Sequence, residues 1–274
     1  MKIIIVFLFM FIKVLVVEAQ SPFEQIVKAE NSFEKMCLDS GIKKGFLYYS
    51  DSSAVAFSNK GIENAKYYWK SLPDFYGIYS WAPSYAEISV SGDWGYTTGS
   101  VEYRDSLLNE EPSSYSQYTT VWYRNKEGDW KYLADIGNVH GPQMINRIPN
   151  EIKVVKVPVK NVTKELIINL ENSFTKQFIT DATKAMKKNY GKVFVLNLKG
   201  HTSVTDLDTA IKLLKIPSQF LKYKPLDIKI SPKGDMALVY GNLYYKESKD
   251  FYMRIWRHES SGWKIALEVA RIKF

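Results

Sequence analysis

Two acids hold matching positions in this chain. Asp135 lies five residues after Trp130 in the run Gly128-Asp-Trp-Lys131, and Glu268 lies five after Trp263 in Gly262-Trp-Lys264. A carboxylate near apolar Leu133 and Val139, as Asp135 is, suits a general base, because burial would raise its pKa toward the pH at which proton transfer works best. His140, near the end of the same stretch, is the second catalytic candidate. Strand alternation argues for a plainer role. Trp263, Ile265, Leu267 and Val269 fall on one face, and Lys264, Ala266, Glu268 and Ala270 on the other. The tryptophan face is the better core candidate, so Asp135 and Glu268 are expected to point outward and pair with Arg or Lys across strands.

Aromatic residues supply the binding candidates. Trp81, Tyr103, Tyr118 and Trp122 could line a pocket for a small apolar molecule, with Tyr223, Tyr245 and Trp256 as their later counterparts. Ordinary core packing accounts for the same residues. Metal chemistry finds no support, since His140, His201 and His258 are far apart and neither an HExxH nor a paired-cysteine pattern occurs. No GxSxG elbow or phosphate-binding glycine loop is present, and no cofactor is implied. Asn161-Val-Thr163 matches a glycosylation acceptor, a pattern short enough to arise by chance. Cys37 is the single cysteine, so no disulfide can form within one chain. It shares an apolar helical stripe with Ile26, Ala29 and Phe33, where a buried, inert thiol is expected.

These residues must be positioned by a duplicated scaffold. Ser91-Gly-Asp-Trp-Gly-Tyr-Thr-Thr-Gly-Ser-Val-Glu-Tyr-Arg104 returns 142 residues later as Lys233-Gly-Asp-Met-Ala-Leu-Val-Tyr-Gly-Asn-Leu-Tyr-Tyr-Lys246. Upstream, Trp81-Ala-Pro83 answers to Tyr223-Lys-Pro225, and Glu30-Asn-Ser-Phe-Glu-Lys35 to Glu171-Asn-Ser-Phe-Thr-Lys176. Ser21-Pro22-Phe23-Glu24 reads as a capped helix start, with the helix running to about Ser40 and a second ending near Tyr49. A short strand at 54–57, a helix at 62–70 and strands at 85–91, 94–104, 115–125 and 130–139 follow. Residues 141–163, with Pro142, Pro149 and Pro158, read as an extended linker. The order then restarts. A helix burying Leu166, Leu170, Phe174 and Phe178 precedes a short strand at 193–196, a helix after Thr205-Asp-Leu-Asp208, and strands at 226–231, 236–246, 250–258 and 263–272.

Composition limits the partners. The chain has 274 residues, 46% hydrophobic, ample for one or two packed domains. Lys2 followed by apolar Ile3 to Val17, then Val17-Glu18-Ala19, reads as a signal peptide over residues 1–19, giving a mature chain from Gln20 that is secreted or periplasmic. About 15 apolar residues broken by Lys13 are short for a membrane span, so no stable span is expected after cleavage. Residues 21–150 carry 12 Lys and Arg against 16 Asp and Glu, while residues 151–274 carry 23 against 12. The basic excess reads as solvated helix surface at Lys184, Lys187, Lys188 and Lys192. Nucleic acid is not an expected partner, because these lysines accompany no recognisable binding motif.

The order of elements, with Gly92-Asp93-Trp94-Gly95-Tyr96-Thr97-Thr98-Gly99, Val121-Trp122, Gly128-Asp129-Trp130-Lys131 and Ala134-Asp135-Ile136-Gly137-Asn138, resembles the nuclear transport factor 2-like fold. More narrowly it resembles the SnoaL-like and ketosteroid-isomerase-like branch. Gly234-Asp235, Gly241, Trp256, Gly262-Trp263-Lys264 and Glu268 carry the resemblance in the second repeat. It implies an α+β chain of two cones, residues 20–140 and 164–274, each a curved antiparallel sheet wrapped around N-terminal helices with a pocket between them. It also implies an internal pseudo-dimer through the sheets, and a homodimer is possible in this fold. The functional expectation is a small-molecule-binding or interaction module with its pocket in the first domain. The alternative is a lyase or isomerase acting on a small carbonyl compound with Asp135 as base.

Overall fold

The computed structural model describes residues 20–74, 77–106, 108 and 110–273. The leader read at residues 1–19 lies outside the described residues. Helix α1 (Pro22–Ser40) starts with a reciprocal cap: the Glu24 amide donates to Ser21 Oγ at 3.2 Å, and the Ser21 amide donates to the Glu24 carboxylate at 2.7 Å. Gly41 then turns the chain into α2 (Ile42–Tyr49). Next come β1 (Ser50–Ser58), β2 (Gly61–Asn64), α3 (Ala65–Ser71), β3 (Ile78–Trp81), β4 (Tyr85–Ile88), β5 (Trp94–Arg104), β6 (Ser114–Arg124) and β7 (Trp130–His140). After the short β8 (Asn150–Glu151), the second half runs α4 (Lys164–Thr180), α5 (Ala182–Asn189), β9 (Tyr190–Leu198) and α6 (Leu207–Leu214). A 3-10 turn leads on to β10 (Leu221–Ile230), β11 (Met236–Tyr245), β12 (Ser248–Glu259) and β13 (Gly262–Ala270).

The first sheet has the order β2-β1-β7-β6-β5-β4-β8, with β3 also paired to β5, and the second has β10-β11-β12-β13-β9. The run β1-β7-β6-β5, flanked by β3 and β4, corresponds to β9-β13-β12-β11-β10, while β2 and β8 have no counterpart. Both sheets are mixed rather than antiparallel throughout, because β1 runs parallel to β7 and β9 parallel to β13. A connection through α3 or α6 carries the chain to the far edge, and the meander returns alongside the first strand in the same direction.

The repeated glycines have separate reasons. Gly92 and Gly234 sit in turns at φ 75° and 65°, which side chains rarely adopt. Gly99 and Gly241 meet the backbone of the neighbouring strand: a Cβ would lie 2.0 Å from the Ala82 carbonyl oxygen and 2.1 Å from that of Lys224.

Each sheet wraps its inner face around its helices. Phe33 of α1 packs with Trp81, Trp122 and Tyr132, and Phe174 of α4 with Phe178, Tyr190 and Trp256. The buried face of α4 is Ile167, Glu171, Phe174 and Phe178. Leu166, expected there, is 40% exposed, because Glu171 turns inward and sets the helix's rotation. Lys184, Lys187, Lys188 and Lys192 are all exposed.

The outer faces of the two sheets meet in one apolar cluster that includes Tyr96, Val121 and Ile136 from the first and Leu238, Met253 and Leu267 from the second. Polar groups fix the contact. Glu87 lies 2.9 Å from Arg257, both without exposed side-chain surface, and accepts a 3.0 Å bond from the Tyr96 hydroxyl. Asn197 donates to Thr98 and Thr119 at 2.9 and 3.1 Å. Residues 141–163 run across both halves: β8 pairs with β4, Ile152 is buried, and the Val157 and Val159 amides donate to the His258 and Lys233 carbonyls.

Candidate functional site

A single extra residue decides where the acids point. Val121 pairs with Ala134 and Trp122 with Tyr132, so Leu133 is a bulge that reverses the alternation of β7. Ala266 does the same in β13, where Ile255 pairs with Leu267 and Trp256 with Ile265. Counting by twos from the tryptophans therefore fails. Trp130, Tyr132 and Asp135 share the inner face of the first sheet, as Trp263, Ile265 and Glu268 do in the second, while Leu133, Ala134, Ala266, Leu267 and Val269 join the contact between sheets. The expectation of outward-facing acids is corrected on that ground.

Asp135 opens onto a cavity of about 440 Å³ enclosed by α1, α2, α3 and the inner face of the sheet. Phe33, Phe46, Trp69, Trp81, Val101 and Tyr118 are among its lining residues. Asp135 also borders a smaller cavity lined by Phe57, Tyr132, Ile136 and Arg271. Its carboxylate accepts from Thr120 at 2.7 Å, and burial pushes its pKa up to about 6 against that bond. A second acid lies beneath. Glu30 of α1 is fully buried and accepts from Trp81 Nε1 at 2.6 Å, from Trp122 Nε1 at 3.0 Å and from Thr97. Burial raises Glu30 to about 7, with the Asp135 charge adding to the rise and those three donors opposing it. Tyr118 is 6% exposed, and its hydroxyl, next to Thr97, makes no hydrogen bond of normal geometry. Burial also holds its pKa well above the usual phenol value.

The second cone has the same acids and a different occupant. Arg254, fully buried, places Nη1 2.6 Å from Glu171 and Nε 3.2 Å from Glu268. Its guanidinium carbon lies 4.5, 4.6 and 5.3 Å from the ring centres of Phe174, Tyr223 and Tyr252. Tyr190 and Tyr223 donate to Glu268 at 2.6 and 2.7 Å, and Trp256 donates to Glu171. By strand register Arg254 stands where the first cone has Thr120. An arginine thus occupies the interior that is hollow in the first copy.

The remaining residues singled out by sequence are distributed as follows. Trp81 and Tyr118 line the cavity, whereas Trp122 is fully buried below it as a donor to Glu30. Tyr103 packs on Tyr79, ring centres 4.9 Å apart, outside the cavity wall. His140 sits at the end of β7 with Nδ1 against the Gly141 carbonyl, away from Asp135. In the second cone Tyr223, Trp256 and Glu268 surround Arg254, and Tyr245 packs against Phe220. Sequence reasoning missed Glu30, Glu171 and Arg254. Their signals were present: an acid on the apolar stripe of a helix in both copies, and a cation between Tyr252 and Trp256 on one strand face.

No family model and no curated protein matches the chain. Solved structures similar to it include an NTF2-like protein from Cytophaga hutchinsonii, 17% identical, covering 38% of this chain and 93% of that one at a TM-score of 0.31. An NTF-2 like protein of unknown function from Shewanella oneidensis is 16% identical, covering 38% and 93% at 0.31. A de novo designed NTF2 fold protein is 13% identical, covering 41% and 88% at 0.33. The fold itself is defined by the strand orders above.

Proposed function

We propose that the first cone is a small-molecule-binding module and that the second serves as its sealed structural partner. One observation carries this reading: the interior filled by Arg254 in the second copy is, in the first, a cavity of about 440 Å³ walled by aromatic rings with a few convergent polar groups. Export with cleavage before Gln20 belongs to the same reading, and N-terminal sequencing of the mature protein checks it. Native mass spectrometry after incubation with metabolite extract tests the binding. Wild type should retain a ligand that Val101→Trp, which fills the cavity, releases. Absence of any retained mass on wild type counts against the module.

A second reading has its own support. Asp135, raised to about 6 and facing a largely apolar space, suits a general base that removes a proton beside a carbonyl. With any carbonyl substrate that turns over, Asp135→Asn should lower kcat by at least about a hundredfold. Undiminished turnover in a folded variant ends that reading.

A further inference from the structure

We propose that the first cavity takes a small organic cation, its guanidinium or ammonium group seated beside Asp135, with Glu30 buried beneath, within the ring of Phe33, Trp81 and Tyr118 and its apolar body toward α2 and α3. This rests on the binding-module reading and names the ligand class. The template lies within the chain. Around Arg254 stand Glu171, Glu268, Phe174, Tyr223 and Tyr252; at the same places in the first cone stand Glu30, Asp135, Phe33, Trp81 and Tyr118. The second set holds a cation by two carboxylates and three ring faces. The first keeps both acids and all three rings, but Thr120 replaces the cation.

Two further facts bear on the guest: one shows a polar group free to meet it, the other the lack of a resident counter-charge. The Tyr118 hydroxyl is buried in the cavity wall without a hydrogen bond of normal geometry. The cationic side chains nearby are engaged elsewhere: Arg147 lies 3.0 Å from Glu34, and Arg271 3.1 Å from Asp250. Lys43, at the mouth, donates to the Leu72 carbonyl at 2.6 Å and lies 3.9 Å from Asp74. Among the described residues no salt bridge within 4.0 Å is made to Asp135 or Glu30, so neither acid has a cationic partner of its own.

Isothermal titration calorimetry of the full chain with phenethylguanidinium, neutral phenethylurea and anionic 3-phenylpropionate separates the possibilities. The guanidinium should bind once per chain, with the urea and the carboxylate at least about tenfold weaker. Asp135→Asn should weaken the guanidinium by about tenfold or more, a larger factor than it weakens the urea. Thr120→Arg, which introduces the guanidinium that Arg254 supplies in the other cone, should abolish binding. Near-ultraviolet circular dichroism confirms that each variant is folded. Equal or tighter binding of the urea or the carboxylate, blocked by Val101→Trp, overturns the cation assignment and leaves the cavity reading standing. Failure of all three probes to bind overturns the cation assignment, and the cavity reading then stands or falls on the metabolite-extract test. A folded Thr120→Arg that binds the guanidinium as wild type does also overturns the proposal.

Discussion

Thr120 and Arg254 stand at the same point of their two sheets, each paired across the ladder with the acid of the next strand, Asp135 in one case and Glu268 in the other. The threonine gives one hydrogen bond and leaves space. The arginine gives charge to two carboxylates and fills that space.

Arg254→Met should therefore destabilise the chain by about 3 to 5 kcal/mol, since Glu171 and Glu268 lose their counter-charge while remaining buried. Combining it with Glu171→Gln and Glu268→Gln should recover a large part of the loss. Urea midpoints at unchanged m-value measure both. A triple variant no more stable than the single one would show that packing, not charge, is what Arg254 supplies.

The raised acids of the first cone make stability fall as the solution becomes more basic. Glu30 rises from 4.5 to about 7 and Asp135 from 3.8 to about 6, so the folded chain keeps protons that the unfolded chain has released. Their stabilisation is complete below the unfolded values and is lost as pH rises through the folded ones. Glu30 alone contributes up to about 3 kcal/mol between those limits. Denaturation curves at pH 5 and pH 8 should differ less for Glu30→Gln than for wild type; equal slopes would contradict the assignment.

Gly99→Ala and Gly241→Ala should each cost roughly 2 to 4 kcal/mol, because the added methyl group meets a carbonyl oxygen of the adjoining strand rather than a movable side chain. Gly141→Ala, with open space around it, is the control and should change the melting temperature little.

Cys37 should be silent toward aromatic disulfide reagents in the native state. It is 6% exposed, and burial first, then the nearby acids, drive its thiol pKa far above neutrality. Labelling across a urea series should track global unfolding; rapid labelling without urea would show that α1 and α2 open locally.

The helix cap at Ser21, the paired turns at Gly92 and Gly234 and the two matching meanders were legible because each is a local rule written within a few residues. The direction of Asp135 was not, since alternation counted from Trp130 assumes an unbroken pleat and Leu133 breaks it. Glu30 escaped because the stripe on α1 was read from its apolar members alone, although the acid falls among them. The difference between a hollow and a filled cone turns on Thr120 against Arg254. It becomes legible only when the strands are in register and the helix acids are known to face them.

The outer surface of each sheet is pinned by its neighbour, and the interiors look the opposite way. Alternation along a strand thus separates two tasks in one ribbon: one set of side chains secures the companion, the next set is at liberty to drift. A doubled chain built this way can let one chamber close without loosening the other. It keeps a rigid wall behind the chamber that stays open, so that changes in the chamber's lining leave the joint undisturbed.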